Sequence, residues 1–107
     1  MHPALGRAQP HIGLSVPTNA DLGQAIRRLR WDRELTIEAL AFAADMHPTF
    51  LGRIERGGAS PTWGKITSLA RALDVPLMVL LRAAEQEAEV ARVVRDARAR
   101  ICGERAA

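Results

Sequence analysis

The side chains capable of covalent or metal chemistry are few and scattered. His2, His11 and His47 share no metal-ligand spacing with a cysteine or a carboxylate. Ser15, Ser60 and Ser68 lie in no nucleophile motif. Cys102 has no histidine near it in sequence and reads as a spectator thiol. No glycine-rich phosphate loop is present, so no enzyme activity, metal or cofactor is expected. What the chain does hold in quantity is arginine, which accounts for every one of its 15 basic residues except Lys65. A guanidinium forks onto phosphate or carboxylate and stays charged at any accessible pH. A net charge of +3 permits a nucleic-acid partner without requiring one. Many of the arginines alternate with Asp and Glu, which is also the pattern of solvated helix faces.

The scaffold that must position these groups is small. A chain of 107 residues makes one domain with one modest core and leaves no room for a deep catalytic cleft. Aromatics are 4% and tyrosine is absent, so the core is built from Leu, Ile, Val and Ala, which favours helices over sheet. A single cysteine excludes an intramolecular disulfide and a cysteine-rich zinc site. No apolar run approaches the ~18 residues of a membrane span, and no charged start precedes an apolar stretch as in a secretory signal. A cytoplasmic protein is expected.

Along the chain, residues 1–18 mix Pro3, Pro10 and Pro17 with Gly6 and Gly13 and hold no period, so a flexible N-terminal arm is expected. Helical patterning begins at Asn19, with Thr18 or Asn19 as cap and Asp21 in the first turn. Leu22, Ile26 and Leu29 keep one face apolar, and this helix should end near Arg33 and Glu34. Thr36 caps a second helix over roughly 37–44. After a break at Asp45 and Met46, His47 caps a third with Pro48 at its first position. Phe50, Leu51 and Ile54 point inward, and Gly57–Gly58 stops it. Thr62 caps a fourth helix holding Trp63, Ile66, Leu69, Ala70 and Leu73. A fifth starts near Pro76 and meets no Gly or Pro until Gly103. Its apolar stripe is dense at Leu77, Leu80, Leu81 and Ala84, and thins to Ala88, Ala91, Val94, Ala97 and Ile101.

Two short helices joined by a tight break are the core of a helix-turn-helix unit. Residues 37–56 meet its steric demands: small Ala41 where the helices cross, Leu40 and Ala44 inward from the first, Met46 in the turn, Leu51 and Ile54 inward from the second. Any helical hairpin can show such a pattern, but the wider stretch adds to it. LGQAIRRLR at 22–30, LTIEALAFAADM at 35–46, HPTFLGRIERG at 47–57 and SPTWGKITSLARALDVPLMVLL at 60–81 run in one register without insertion. Together they resemble the Xre/Cro/C1-type helix-turn-helix family of bacterial and phage transcription regulators.

The resemblance implies an all-α fold: a compact, lambda-repressor-like five-helix bundle over residues 19–83 whose third helix enters the major groove of double-stranded DNA. A long C-terminal helical extension, 84–107, follows. It implies an ion pair between Arg30 and Glu55 that orients the third helix. It places base-reading positions at His47, Pro48, Thr49, Gly52 and Arg53. Arg53 suits either guanine or a phosphate, Thr49 offers a hydroxyl or methyl, and Gly52 offers close approach to its backbone. Phosphate contacts fall to Thr36, Arg56, Gly58, Ala59, Ser60, Thr62 and Lys65. Val75, Leu77, Met78 and Leu81 are the implied homodimer contact, and the C-terminal stripe is a second surface for a twin, for the bundle, or for another protein.

The chain departs from the family at Ile37, where relatives commonly carry a phosphate-anchoring Gln, and at Glu34 and Asp45, where they carry glycine. A homodimeric repressor or autoregulator reading a palindromic operator is the function these features imply. An antitoxin using the C-terminal helix on a protein partner, and a weakly specific nucleoid or phage accessory DNA binder, are the alternatives.

Overall fold

A computed structural model describes residues 15–106, so most of the expected N-terminal arm, residues 1–14, lies outside the described residues. Five helices and no strand occur among the described residues: α1 Asn19–Asp32, α2 Ile37–Ala43, α3 Pro48–Glu55, α4 Trp63–Ala72 and α5 Leu77–Ala106.

Local chemistry fixes where the first four begin. Thr18 caps α1 in a closed box, its hydroxyl accepting from the Asp21 N–H at 3.2 Å while the Asp21 carboxylate accepts from the Thr18 N–H at 2.8 Å. Thr36 and Thr62 accept from the N–H groups of Ala39 and Lys65 at 3.0 and 3.2 Å, and His47 Nδ1 accepts from the Thr49 N–H at 3.0 Å.

The same four helices stop in one way. The N–H groups of Leu35, Met46, Gly58 and Val75 each reach back five residues, to the carbonyls of Arg30, Ala41, Arg53 and Ala70, at 2.8–3.1 Å. That closure puts the residue before each of them in the left-handed region: Glu34 at φ 55°, Asp45 at 57°, Gly57 at 79° and Asp74 at 59°. Glycine relieves the strain of that conformation at one position of the four.

Ile26, Leu40, Leu51, Ile54, Leu69, Leu73 and Leu80 are fully buried and form the centre of the core. The helix α1 lies along α5 and across α3, α2 packs on α3, and α4 bridges α2 and α5. An Arg28–Glu87 ion pair also ties α1 to α5. The fifth helix passes residues 83 and 84 without a break, and Ala84 and Ala88 still lie buried. The bundle therefore takes in residues 84–88, the start of what sequence alone marks as an extension. Past Ala88 the helix leaves the core, exposing Val90, Val93, Val94 and Ile101.

Candidate nucleic-acid interface

The helix α3 has two sides with different work. Leu51 and Ile54 are fully buried, and Glu55 is 3% exposed, all turned into the bundle. Glu55 is held there by charge. Arg30 Nε donates to Oε2 at 2.8 Å and Arg30 Nη2 to Oε1 at 2.9 Å, a bidentate fork between two side chains that water barely reaches. Arg30 Nη1 also donates to the Leu35 carbonyl at 3.0 Å, so the end of α1 is closed by the same guanidinium. The Glu55 hydrogen bond raises the Arg30 pKa above the ordinary arginine value, against a smaller opposing effect of burial. Arg27 adds a longer contact, Nε to Oε1 at 3.4 Å, and its guanidinium lies 5.8 Å above the Trp31 ring.

A second constraint sets the distance between α1 and α3. A Cβ on Gly23 would overlap the Ile54 carbonyl oxygen and lie 2.6 Å from that of Glu55. The two helix backbones touch at this point, and only glycine permits it. Sequence reasoning passed over Gly23, although an isolated glycine inside a helical pattern was the available signal.

The outward side of α3 presents His47, Thr49 and Arg53, all exposed, with Pro48 partly so. The cap fixes the histidine tautomer: with Nδ1 accepting, the neutral ring carries its proton on Nε2, a donor. Gly52 differs from its sequence assignment. Its expected open backbone is buried, because the Arg56 guanidinium lies over it with Nη1 3.2 Å from where a Cβ would stand. Arg53 Nη2 makes a long contact, 3.4 Å, with the Gly58 carbonyl.

The residues assigned to phosphate flank this face. Thr36, Arg56, Gly58, Ser60 and Thr62 are exposed and Lys65 is partly so. The capping hydroxyls of Thr36 and Thr62 accept from backbone and keep their own O–H to donate. Ala59 is partly buried against the core and offers only backbone. Of the four residues assigned to the dimer contact, Val75, Leu77 and Leu81 pack partly buried against the core, and Met78 is 63% exposed. Trp63, 62% exposed, joins Met78 and Leu81 in lining one apolar groove with Leu22 and Pro17. Among the described residues no cluster of His, Cys, Asp and Glu could hold a metal ion, and no helix is long and apolar enough to cross a membrane.

A family profile described as a helix-turn-helix domain matches residues 21–100. Among solved structures, the restriction-modification controller protein C.AhdI from Aeromonas hydrophila is 34% identical, with a TM-score of 0.57 over 58% of this chain and 94% of that one. The clp gene regulator ClgR from Corynebacterium glutamicum is 26% identical, with a TM-score of 0.69 over 78% of this chain and 87% of that one. A mutant of C.Esp1396I bound to its highest-affinity operator site shares the fold, at 23% identity and a TM-score of 0.61 over 64% of this chain and 91% of that one. No curated protein matches the sequence.

Proposed function

The chain belongs to the helix-turn-helix domain family, and on that premise we propose that it is a sequence-specific double-stranded DNA-binding transcription regulator, a cytoplasmic homodimer acting as repressor or autoregulator. The observation that carries this reading is the way α3 is held. One side is fixed by Leu51, Ile54 and the Arg30–Glu55 fork, while Thr49, Arg53 and Arg56 stand exposed on the other. A helix fixed on one side and bare on the other can enter a major groove without rearranging. The solved structures it is similar to include a restriction-modification controller and a clp gene regulator.

In this reading α3 supplies the base contacts, from His47, Thr49 and Arg53, with Pro48 adding apolar contact. The hydroxyls of Thr36 and Thr62, the backbone N–H groups of Gly58 to Ser60, and the side chains of Arg56 and Lys65 hold the phosphates on either side. Residues 19–83 do the DNA binding. The exposed Trp63 and Met78 beside Leu81 form the face on which two copies meet.

Selection of bound sequences from a random duplex pool tests the reading. A palindromic winner with half-sites about one helical turn apart is expected. A dimer touching about 6–10 phosphates should also lose roughly 10³–10⁵ in affinity between 50 and 200 mM salt. Recovery of no preferred sequence would leave a weakly specific binder.

A second reading has one observation in its favour. The distal half of α5 exposes Val90, Val93, Val94 and Ile101, a surface suited to another protein, as in an antitoxin. Operator binding unaffected by removal of residues 93–107, with loss of a co-purifying partner, is its expected signature.

A further inference from the structure

Beyond Ala88 the fifth helix keeps an apolar side that the bundle does not use. Val90, Val93, Val94 and Ile101 are 44–58% exposed. At about 100° per residue they share one sector with Ala97, roughly a third of a turn from the sector that Leu80, Ala84 and Ala88 give to the core. Val93, Ala97 and Ile101 stand four residues apart in a single row, and the residue at the head of that row is Glu89. Glu89 is also where the chain ahead of α1 comes down on α5. Ser15 Oγ donates to Glu89 Oε1 at 3.2 Å, across 74 residues of sequence. Arg92 holds the other carboxylate oxygen and reaches Asp96 at 3.5 Å, so the acceptor is fixed in place. Two residues on, Pro17 lines the groove of Leu22, Met78 and Leu81, and Thr18 closes the cap of α1. The segment 15–18 is thus pinned along α5. The 14 residues before it set out about one helical turn from Val93.

We infer that residues 9–14 of the N-terminal arm lie along α5 and cover Val93, Ala97 and Ile101. The reach and the chemistry both fit. The row from Glu89 to Ile101 rises through 12 residues, about 18 Å, and an extended chain covers about 18 Å in about six residues. The six that precede Ser15 are Gln9, Pro10, His11, Ile12, Gly13 and Leu14, with no Asp, Glu, Lys or Arg among them. Pro10, Ile12 and Leu14 bring apolar surface to an apolar row, and Pro10 has no N–H to leave without a partner. Attachment at Ser15 makes the contact intramolecular, with an effective concentration of about millimolar. Any other molecule that binds the row has to displace the arm.

Thiol labelling of the full chain tests the cover. With Cys102→Ser removing the native thiol, Val93→Cys places one under the arm and Arg95→Cys places one on another side of α5. Each is compared with and without the pair Ile12→Ser and Leu14→Ser, which keeps the arm's length and removes its large aliphatic side chains. Alkylation by iodoacetamide of the Val93→Cys chain is expected to quicken about fivefold or more when the pair is introduced, as for a cover in place roughly four-fifths of the time. The Arg95→Cys chain should react at the same rate with or without it, and thermal melting should change little, because the row lies past the last buried residue of the bundle. Equal rates for Val93→Cys in the two backgrounds overturn the inference. So does protection that grows with protein concentration, which gives the row to a second copy of the chain. Neither result bears on DNA binding, which does not use this face.

Discussion

Gly23 and Ile54 meet backbone to backbone: a Cβ on Gly23 would overlap the Ile54 carbonyl oxygen. That contact sets how deeply α3 sits against α1, and so the height at which its outer face stands. Alanine is the better helix former by about 1 kcal/mol, so an open site would reward Gly23→Ala. Here the obstacle is backbone, which cannot swing aside, and overpacking costs typically about 1–3 kcal/mol or more. The steric loss should win. Gly23→Ala is expected to lower the melting temperature, by roughly 4–8 °C for each kcal/mol lost. A rise on thermal denaturation would show that the helices part at this point without penalty.

Glu55 is shared by two arginines of unequal standing. Arg30 is 8% exposed and forks onto the carboxylate at 2.8 and 2.9 Å, whereas the Arg27 side chain is 31% exposed and its contact is 3.4 Å. Removing one partner of a buried pair strands the other and costs about 3–5 kcal/mol. A screened, half-exposed contact is worth about 0–1 kcal/mol. Arg30→Ala should therefore destabilise the fold severely and Arg27→Ala little, as read by urea denaturation. Equal midpoints for the two variants would mean that the fork does not hold the helix.

Much of this was legible in the sequence, and the reason differs by feature. Helix starts are local events: Thr18, Thr36, His47 and Thr62 each serve an N–H two or three residues ahead, so residue type and spacing sufficed. The Arg30–Glu55 pairing spans 25 residues and was legible only through the resemblance to a family. Helix ends were harder. Glu34 and Asp45 stand out against the glycines of that family, but nothing local marks Asp74 as left-handed. The Gly23 contact and the cover of Gly52 by Arg56 depend on helix crossing and side-chain lean, which a linear pattern does not encode. The division at residues 83 and 84 followed the thinning of large apolar residues. Ala84 and Ala88 are small because α1 packs close there, so the thinning marked proximity as much as exposure.

The helix ends leave room for stabilisation. A left-handed conformation costs an L-residue roughly 1–2 kcal/mol, less for Asp, whose short side chain bonds locally. Glycine removes that strain but costs about 0.4–1 kcal/mol through the freedom it gives the unfolded chain. The balance favours glycine at Glu34, φ 55°, where the side chain is exposed and long. It is close to even at Asp45 and Asp74. Glu34→Gly is expected to raise the melting temperature by a few degrees, and Asp45→Gly and Asp74→Gly to move it less. A drop for Glu34→Gly would assign the side chain a contact that outweighs its backbone strain.

In the proposed homodimer, substitution of single exposed residues tests where two copies meet. Val75, Leu77 and Leu81 already spend part of their surface on the core, so if two copies meet on this face the contact free energy comes largely from Met78 and Trp63, 63% and 62% exposed. Burying a side chain such as Met contributes roughly 1.5–3 kcal/mol, and a two-fold interface counts it twice. Met78→Lys removes that and leaves a charge to be desolvated, so the dimer dissociation constant should rise on the order of 10²-fold or more. Met78 lies outside the buried core, so thermal stability of the monomer should hold. Sedimentation equilibrium reads the change, and operator affinity should fall with it because each half-site then binds alone. The distal stripe supplies the contrast: Val93→Lys, on a helix turn beyond the last buried residue, should leave the association unchanged. If Val93→Lys dissociates the pair and Met78→Lys does not, the two copies join along α5 beyond the bundle instead.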